Sequence, residues 1–170
     1  MAWLILVLLC KLDKKAECHR EVSLSYLFLA NNVKYIANKV KETPLGDMLG
    51  EEWVARHSAK ARRYAESYER AGWGPVAAAI PAATVTAAEA AERMRQFNAA
   101  AEAALRAQES AVVANEAMRA AIRANVAGMV VPAYRAFYQR CREFTPEDVR
   151  DWLAKLFSGQ FGSGSGSVWV

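Results

Sequence analysis

Apolar and polar positions recur with a helical period along most of the chain. Over residues 22–42, Leu24, Phe28, Asn31 and Tyr35 fall four, three and four apart, and Ser25, Leu29, Asn32 and Ile36 run beside them. That is one wide helical face with two amides in its middle. Buried amides of this kind are expected to set helix register by bonding across to a neighbouring helix. Thr43-Pro44-Leu45-Gly46 breaks the pattern, because proline disfavours helix in the residue before it. A second stripe follows at Trp53, His57, Ala61, Tyr64 and Tyr68, on a helix predicted to stop at Gly72. Arg56, Lys60, Arg63 and Glu66 flank that stripe and are expected to meet water. Two amphipathic helices joined by a short turn predict an antiparallel hairpin.

The rest of the chain continues in the same style. Residues 1–10, MAWLILVLLC, form an apolar run, and the charged residues 11–21 are predicted to end the first helix. Residues 72–81 read as a connector, with Gly72, Gly74, Pro75 and Pro81 as breakers. Thr86 with Glu89 has capping-box spacing, and the next helix puts Ala90, Met94, Phe97, Ala101, Leu105 and Gln108 on one face. A further long helix starts near Asn115 and steps through Met118, Ile122, Val126, Met129, Ala133 and Phe137, with a kink expected at Pro132. Thr145-Pro146-Glu147-Asp148 is a strong helix start, with Val149, Trp152, Leu153, Leu156 and Phe157 as its buried side. Residues 162–170 form a glycine-serine tail. No sustained two-residue alternation competes, so the expectation is an all-α chain of about six helices, built as antiparallel bundles.

Composition changes this picture in three ways. The chain holds 22 lysines and arginines against 18 acids, a net charge of +4, which is compatible with an anionic surface. The alanine-rich middle forms helix readily but buries little area per residue. Three scattered cysteines, Cys10, Cys18 and Cys141, fit neither a disulfide framework nor a zinc site and read as reduced thiols.

Candidate chemistry is sparse. His19 and His57 lie on different elements, and His57 sits on the aromatic stripe, where a structural role is expected. No phosphate-binding loop, dinucleotide fingerprint, zincin motif or nucleophile elbow is present in the sequence. Tyr134, Phe137 and Tyr138 mix with arginines but keep helical spacing, so core packing rather than nucleic-acid binding is expected. The reading is a binding protein, not an enzyme, with no cofactor and no metal.

Several stretches carry a family resemblance. They are SYLFLANN, VKYIANKVK, MLGEEWVARH and RRYAESYERAGW, then FNAAAEAALRAQ, VVPAYRAFYQRC and FTPEDVRDWLAKLF, in that order. In these the chain resembles the C-terminal region of the exocyst's seventy-kilodalton subunit, the Exo-seventy family, in its plant branch. The resemblance covers residues 1–161 and implies helical bundles stacked as the C-terminal tip of a long rod. It places residues 1–10 in a core helix rather than a signal peptide, which here is expected to lie exposed and to self-associate. It also implies vesicle tethering at the plasma membrane, a cytoplasmic and peripheral location, and other exocyst subunits as partners. The alternative is a truncated relative acting as an interaction module or decoy outside the exocyst, for example in plant immunity.

The resemblance further implies contact with anionic membrane lipids, phosphoinositides among them, through basic residues at the tip. Arg135, Arg140, Arg142, Arg150 and Lys155 are the candidates in this sequence. Arg119 and Arg123 precede them on the same predicted helix, against the single acid Glu116. One departure stands out: family members carry a lysine-bearing stretch, worded like ENYIKY, before the last helix. Here YRAFYQRCREF runs straight into TPEDV. The arginines read equally as a lipid-facing patch and as a solvated helix face.

Overall fold

The computed structural model describes residues 2–80 and 87–141. Every regular element among them is a helix: α1 (Ala2–Ala16), α2 (Val22–Lys41), α3 (Leu45–Leu49), α4 (Glu51–Ala78), α5 (Ala87–Ala107) and α6 (Glu116–Cys141). The all-α class is therefore as the periodicity predicts. The helix expected from Thr145 and the glycine-serine tail lie outside the described residues. The chain divides into two compact units.

The first unit holds the residues up to Tyr68 together with Val113–Arg119. Within it α1 packs on α2. Their junction is tied by the Ser25 hydroxyl, which donates to the Ala16 carbonyl at 2.9 Å. That carbonyl is one of those a helix end leaves without an intrahelical donor, so the contact satisfies a group that burial would otherwise penalise. The His19 ring lies 5.1 Å from that of Phe28 across the same junction.

The buried side of α2 matches the expected face in part: Leu29 and Ile36 are buried, and Leu24 and Phe28 are half-buried. Leu27, Ala30, Val33, Ala37 and Val40 are buried, whereas Tyr35 is 62% exposed. Periodicity admits both phases; the structure selects the one that puts Ala30 and Ala37, both fully buried, at the packed surface. Small residues there let backbones approach closely, and the bulky Tyr35 ring stays outside with the Lys39 ammonium 5.9 Å from its centre. Asn32 also departs from expectation. Its amide donates to the Phe28 carbonyl of its own helix at 2.8 Å rather than reaching across.

α2 ends as its sequence requires. The Thr43 hydroxyl turns back to the Lys39 carbonyl at 2.8 Å, and Pro44 starts the short α3. Gly46 sits so close under the end of α2 that a Cβ there would lie 3.0 Å from the Val40 carbonyl oxygen. Gly50 takes φ 82°, a left-handed conformation that favours glycine, between α3 and α4.

α4 begins on the expected stripe, with Ala61 and Tyr68 buried and Trp53 and His57 half-buried. It does not stop at Gly72. The helix runs to Ala78 with Pro75 inside it. Trp73 and Val76 are essentially fully buried, so the apolar stripe continues past the glycine and its packing outweighs the weak local propensity. Pro75 removes only the hydrogen bond to the Ala71 carbonyl, and both residues face solvent, where water takes over as donor.

The second unit holds Glu69–Val112 and the described residues from Ala120 onward. Its core comes from Trp73 and Val76 on α4, Met94, Phe97 and Ala101 on α5, and Ile122, Val126, Val130, Tyr134 and Phe137 on α6. The Phe97 and Tyr134 rings meet at 5.5 Å and 39°, an aromatic pair joining α5 to α6. Ile80, Met94 and Phe137 close around them and leave no space for a water molecule. Met129 and Ala133, expected on the buried stripe, are not buried, and Val130 and Tyr134 take those places. α6 passes through Pro132, which lies on the exposed side.

α5 runs from Ala87, and Thr86, expected from the spacing to cap it, lies outside the described residues. α6 starts where expected. The Asn115 side-chain oxygen accepts from the Met118 backbone N–H at 2.9 Å, an N-cap in the first unit. Replacing Asn115 by alanine is expected to lower stability by about 0.5–2 kcal/mol, measurable by thermal unfolding, while serine at this position retains most of it.

Candidate anionic-surface interface

Of the five basic residues expected at the tip, the structure places one in full. Arg135 is exposed on α6, at the rim of a shallow depression of about 220 Å³ lined by Ala127, Gly128, Val131 and Pro132. Position 140 is within α6, but the Arg140 side chain lies outside the described residues, as do Arg142, Arg150 and Lys155. Five positions along a helix turn by about 140°, so positions 135 and 140 do not share a helix face. Among the described side chains, Arg135 is the only member of the predicted set.

The other arginines of α6 are not a solvated row either. Arg119 is half-buried and donates to the Val113 carbonyl at 3.1 Å, bracing the segment that leads into the helix. Arg123 is also half-buried. Elsewhere, basic side chains pair with acids one turn away: Arg56 with Glu52 at 2.6 Å, Arg95 with Glu92 at 2.6 Å, Arg106 with Glu102 at 3.2 Å and Lys39 with Glu42 at 3.0 Å. The hydrogen bond from Arg95 holds the Glu92 carboxyl below its ordinary pKa, and the bond to Glu42 raises Lys39 above its own. Such exposed one-turn pairs are typically worth little, but they neutralise the positive charge of their helices locally.

Both histidines make ring contacts. The His57 ring stacks on Trp53 with centroids 3.7 Å apart, and its Nδ1 lies 2.8 Å from the Trp53 carbonyl oxygen. A carbonyl only accepts, so Nδ1 carries the proton and the ring is held in one tautomer. This is the structural role that its place on the stripe predicts. Cys10 and Cys18 are exposed free thiols.

One buried polar feature was not anticipated from the sequence. Glu69 on α4 is only 6% exposed, and the Asn125 amide on α6 donates to both of its carboxylate oxygens, at 3.1 and 3.3 Å. A signal for it existed: Glu69 precedes the buried Trp73 by four residues and so shares its helix face. Its partner, 56 positions away, carried no local signal. Replacing Asn125 by alanine is expected to cost about 1–3 kcal/mol, because a buried carboxylate loses donors, with urea unfolding as the measurement.

Comparison with known proteins places this fold. The family model for the C-terminal region of the Exo70 component of the exocyst complex matches residues 1–154. The chain is 32% identical over 169 residues to exocyst complex component EXO70B2 of Arabidopsis thaliana, covering 91% of this chain and 28% of that protein. It is 29% identical over 168 residues to EXO70C1, covering 87% and 26%, and 26% identical over 178 residues to EXO70B1, covering 94% and 28%, both from the same plant. The chain thus spans little more than a quarter of the length of these relatives. A match over nearly all of its helices, in their order, means that the chain belongs to the Exo70 family of exocyst proteins, in its plant form, and corresponds to the C-terminal region.

Proposed function

We propose that this chain acts as the C-terminal part of an exocyst subunit, in the assembly that tethers secretory vesicles at the plasma membrane. It works by binding, peripherally and from the cytoplasmic side. The family match over residues 1–154 carries this reading, since the relatives it resembles are named as exocyst complex components. No helix among the described residues is long and apolar enough to cross a membrane. The test is capture of the tagged chain from plant cells, with antibodies against other exocyst subunits. Joint purification is expected. A folded chain that recovers none of them refutes the reading and favours an interaction module working outside the exocyst.

Arg135, Arg140, Arg142, Arg150 and Lys155 supply a weak attraction to anionic lipid in this reading. Arginine forks suit phosphate, and each basic residue near an anionic leaflet contributes about 1 kcal/mol. With no lysine-bearing stretch before the last helix, binding follows charge density rather than a particular head group. Sedimentation with phosphoinositide and phosphatidylserine vesicles at matched charge is expected to give equal binding that fades as salt rises. A clear phosphoinositide preference that survives high salt contradicts this.

A further inference from the structure

Between α2 and α4 the chain holds its turn by hydrogen bonds and buries no side chain. Lys41, Glu42, Thr43 and Pro44 are exposed, and none of the residues 41–50 is buried, α3 included. The Thr43 hydroxyl donates to the Lys39 carbonyl at 2.8 Å and reaches the Val40 carbonyl at 3.3 Å, both in the last turn of α2. The Thr43 carbonyl accepts from the Gly46 N–H at 2.9 Å, the bond that opens α3. A segment with so few buried contacts opens at low cost while the core beside it stays closed. Pro44 follows Thr43 directly, and the sequence holds one other hydroxyl-bearing residue before a proline, Thr145.

We propose that Thr43 is a phosphorylation site for a proline-directed protein kinase, and that its phosphate releases the turn between α2 and α3. A kinase of this class accepts a hydroxyl residue whose successor has no backbone N–H, which proline alone provides. Thr43 Oγ1 attacks the γ-phosphorus of a nucleoside triphosphate. The Oγ1–P bond forms, the bond to the bridging oxygen breaks, nucleoside diphosphate leaves, and the hydroxyl proton passes to a base of the kinase.

The consequence follows from the cap. The ester oxygen has no proton to donate, yet it faces the Lys39 and Val40 carbonyls, which only accept. The phosphate also sets a charge of about −1.5 to −2 at the negative end of the α2 dipole. Lys39 is already paired with Glu42 at 3.0 Å in an exposed contact, so its ammonium offsets little of this. α3 meets α2 beside this turn, where Gly46 lies under the Val40 carbonyl. Losing the cap therefore loosens α3, while the buried side of α2, at Val33 and Ala37, stays packed. The site depends neither on exocyst assembly nor on a lipid surface.

The experiment treats the whole chain, as the T145A variant, with a purified proline-directed kinase and magnesium ATP. Mass spectrometry of the digested product is expected to place one phosphate on Thr43, and T43A/T145A is expected to take up none. Hydrogen exchange then reads the turn. Phosphorylation is expected to speed exchange of the Glu42, Thr43 and Gly46 amides about tenfold, with Val33 and Ala37 unchanged. The T43V variant, which lacks the donor and adds no charge, is expected to speed it about fivefold. Thr43 is exposed, so these variants retain the fold, which circular dichroism checks. The proposal is overturned if T145A takes up no phosphate at Thr43, or if the phosphorylated turn exchanges like the unmodified one. It is equally overturned if Val33 and Ala37 lose protection on modification, which would mean that the phosphate unfolds α2 rather than releasing the turn.

Discussion

Replacing Trp73 by alanine is expected to destabilise the protein by about 3–5 kcal/mol, the range for truncating a large buried aromatic side chain. Trp73 is fully buried, flanked by Gly72 and Gly74, in a part of α4 where local propensity argues against helix. Truncation to alanine removes the whole indole from a packed site, and its surroundings lose those contacts. The expected result is a large drop in the urea midpoint, followed by circular dichroism so that losing a tryptophan does not alter the probe. A loss below about 1 kcal/mol would mean that the side chain is accessible and that the helix ends where its glycines suggest. The companion variant Pro75→Ala restores the missing backbone donor on the exposed side and is expected to raise stability.

A pair of substitutions on α2 is expected to separate two phases of the same helix. Leu27→Ala should cost about 2–5 kcal/mol, since Leu27 is 3% exposed and borders the fully buried Ala30. Tyr35→Ala should change stability by no more than about 0.5 kcal/mol, because its ring is 62% exposed, with the Lys39 ammonium over its face. Side-chain size alone ranks the two the other way, since tyrosine is the larger and lies on a face that the periodicity also admits. A costly Tyr35→Ala with a mild Leu27→Ala would reverse the phase of α2 and remove Ala30 and Ala37 from the packed surface.

The fold class was legible because each of its signals is local. Pro44 ends one helix and opens the next, and Asn115 caps α6 through its own side chain. Where expectation and structure part, two local signals competed and packing arbitrated. Gly72 and Pro75 argued for a break, but the buried Trp73 and Val76 kept α4 intact. The amide of Asn32, expected to reach across to a neighbouring helix, bonds instead to the Phe28 carbonyl one turn back.

The candidate interface was legible only as composition. Arg135, Arg140, Arg142, Arg150 and Lys155 are basic and close in sequence, and only the Arg135 side chain is among the described residues. Arg119, on the same helix, has a structural contact instead, since its guanidinium braces the Val113 carbonyl. The exposure of Trp3, Leu4, Leu6 and Leu8 on α1 was foreshadowed by the apolar run at its start.

By itself the sequence determined that this protein is helical, where most helices begin, and to which family it belongs, because propensity, capping and motif wording depend on residues near one another in the chain. Only the tertiary structure decided which side of each helix is buried, that α4 outruns its glycines, and that Glu69 meets Asn125. Those outcomes rest on contacts between residues far apart in sequence, whose burial outweighs local preferences of about 1 kcal/mol.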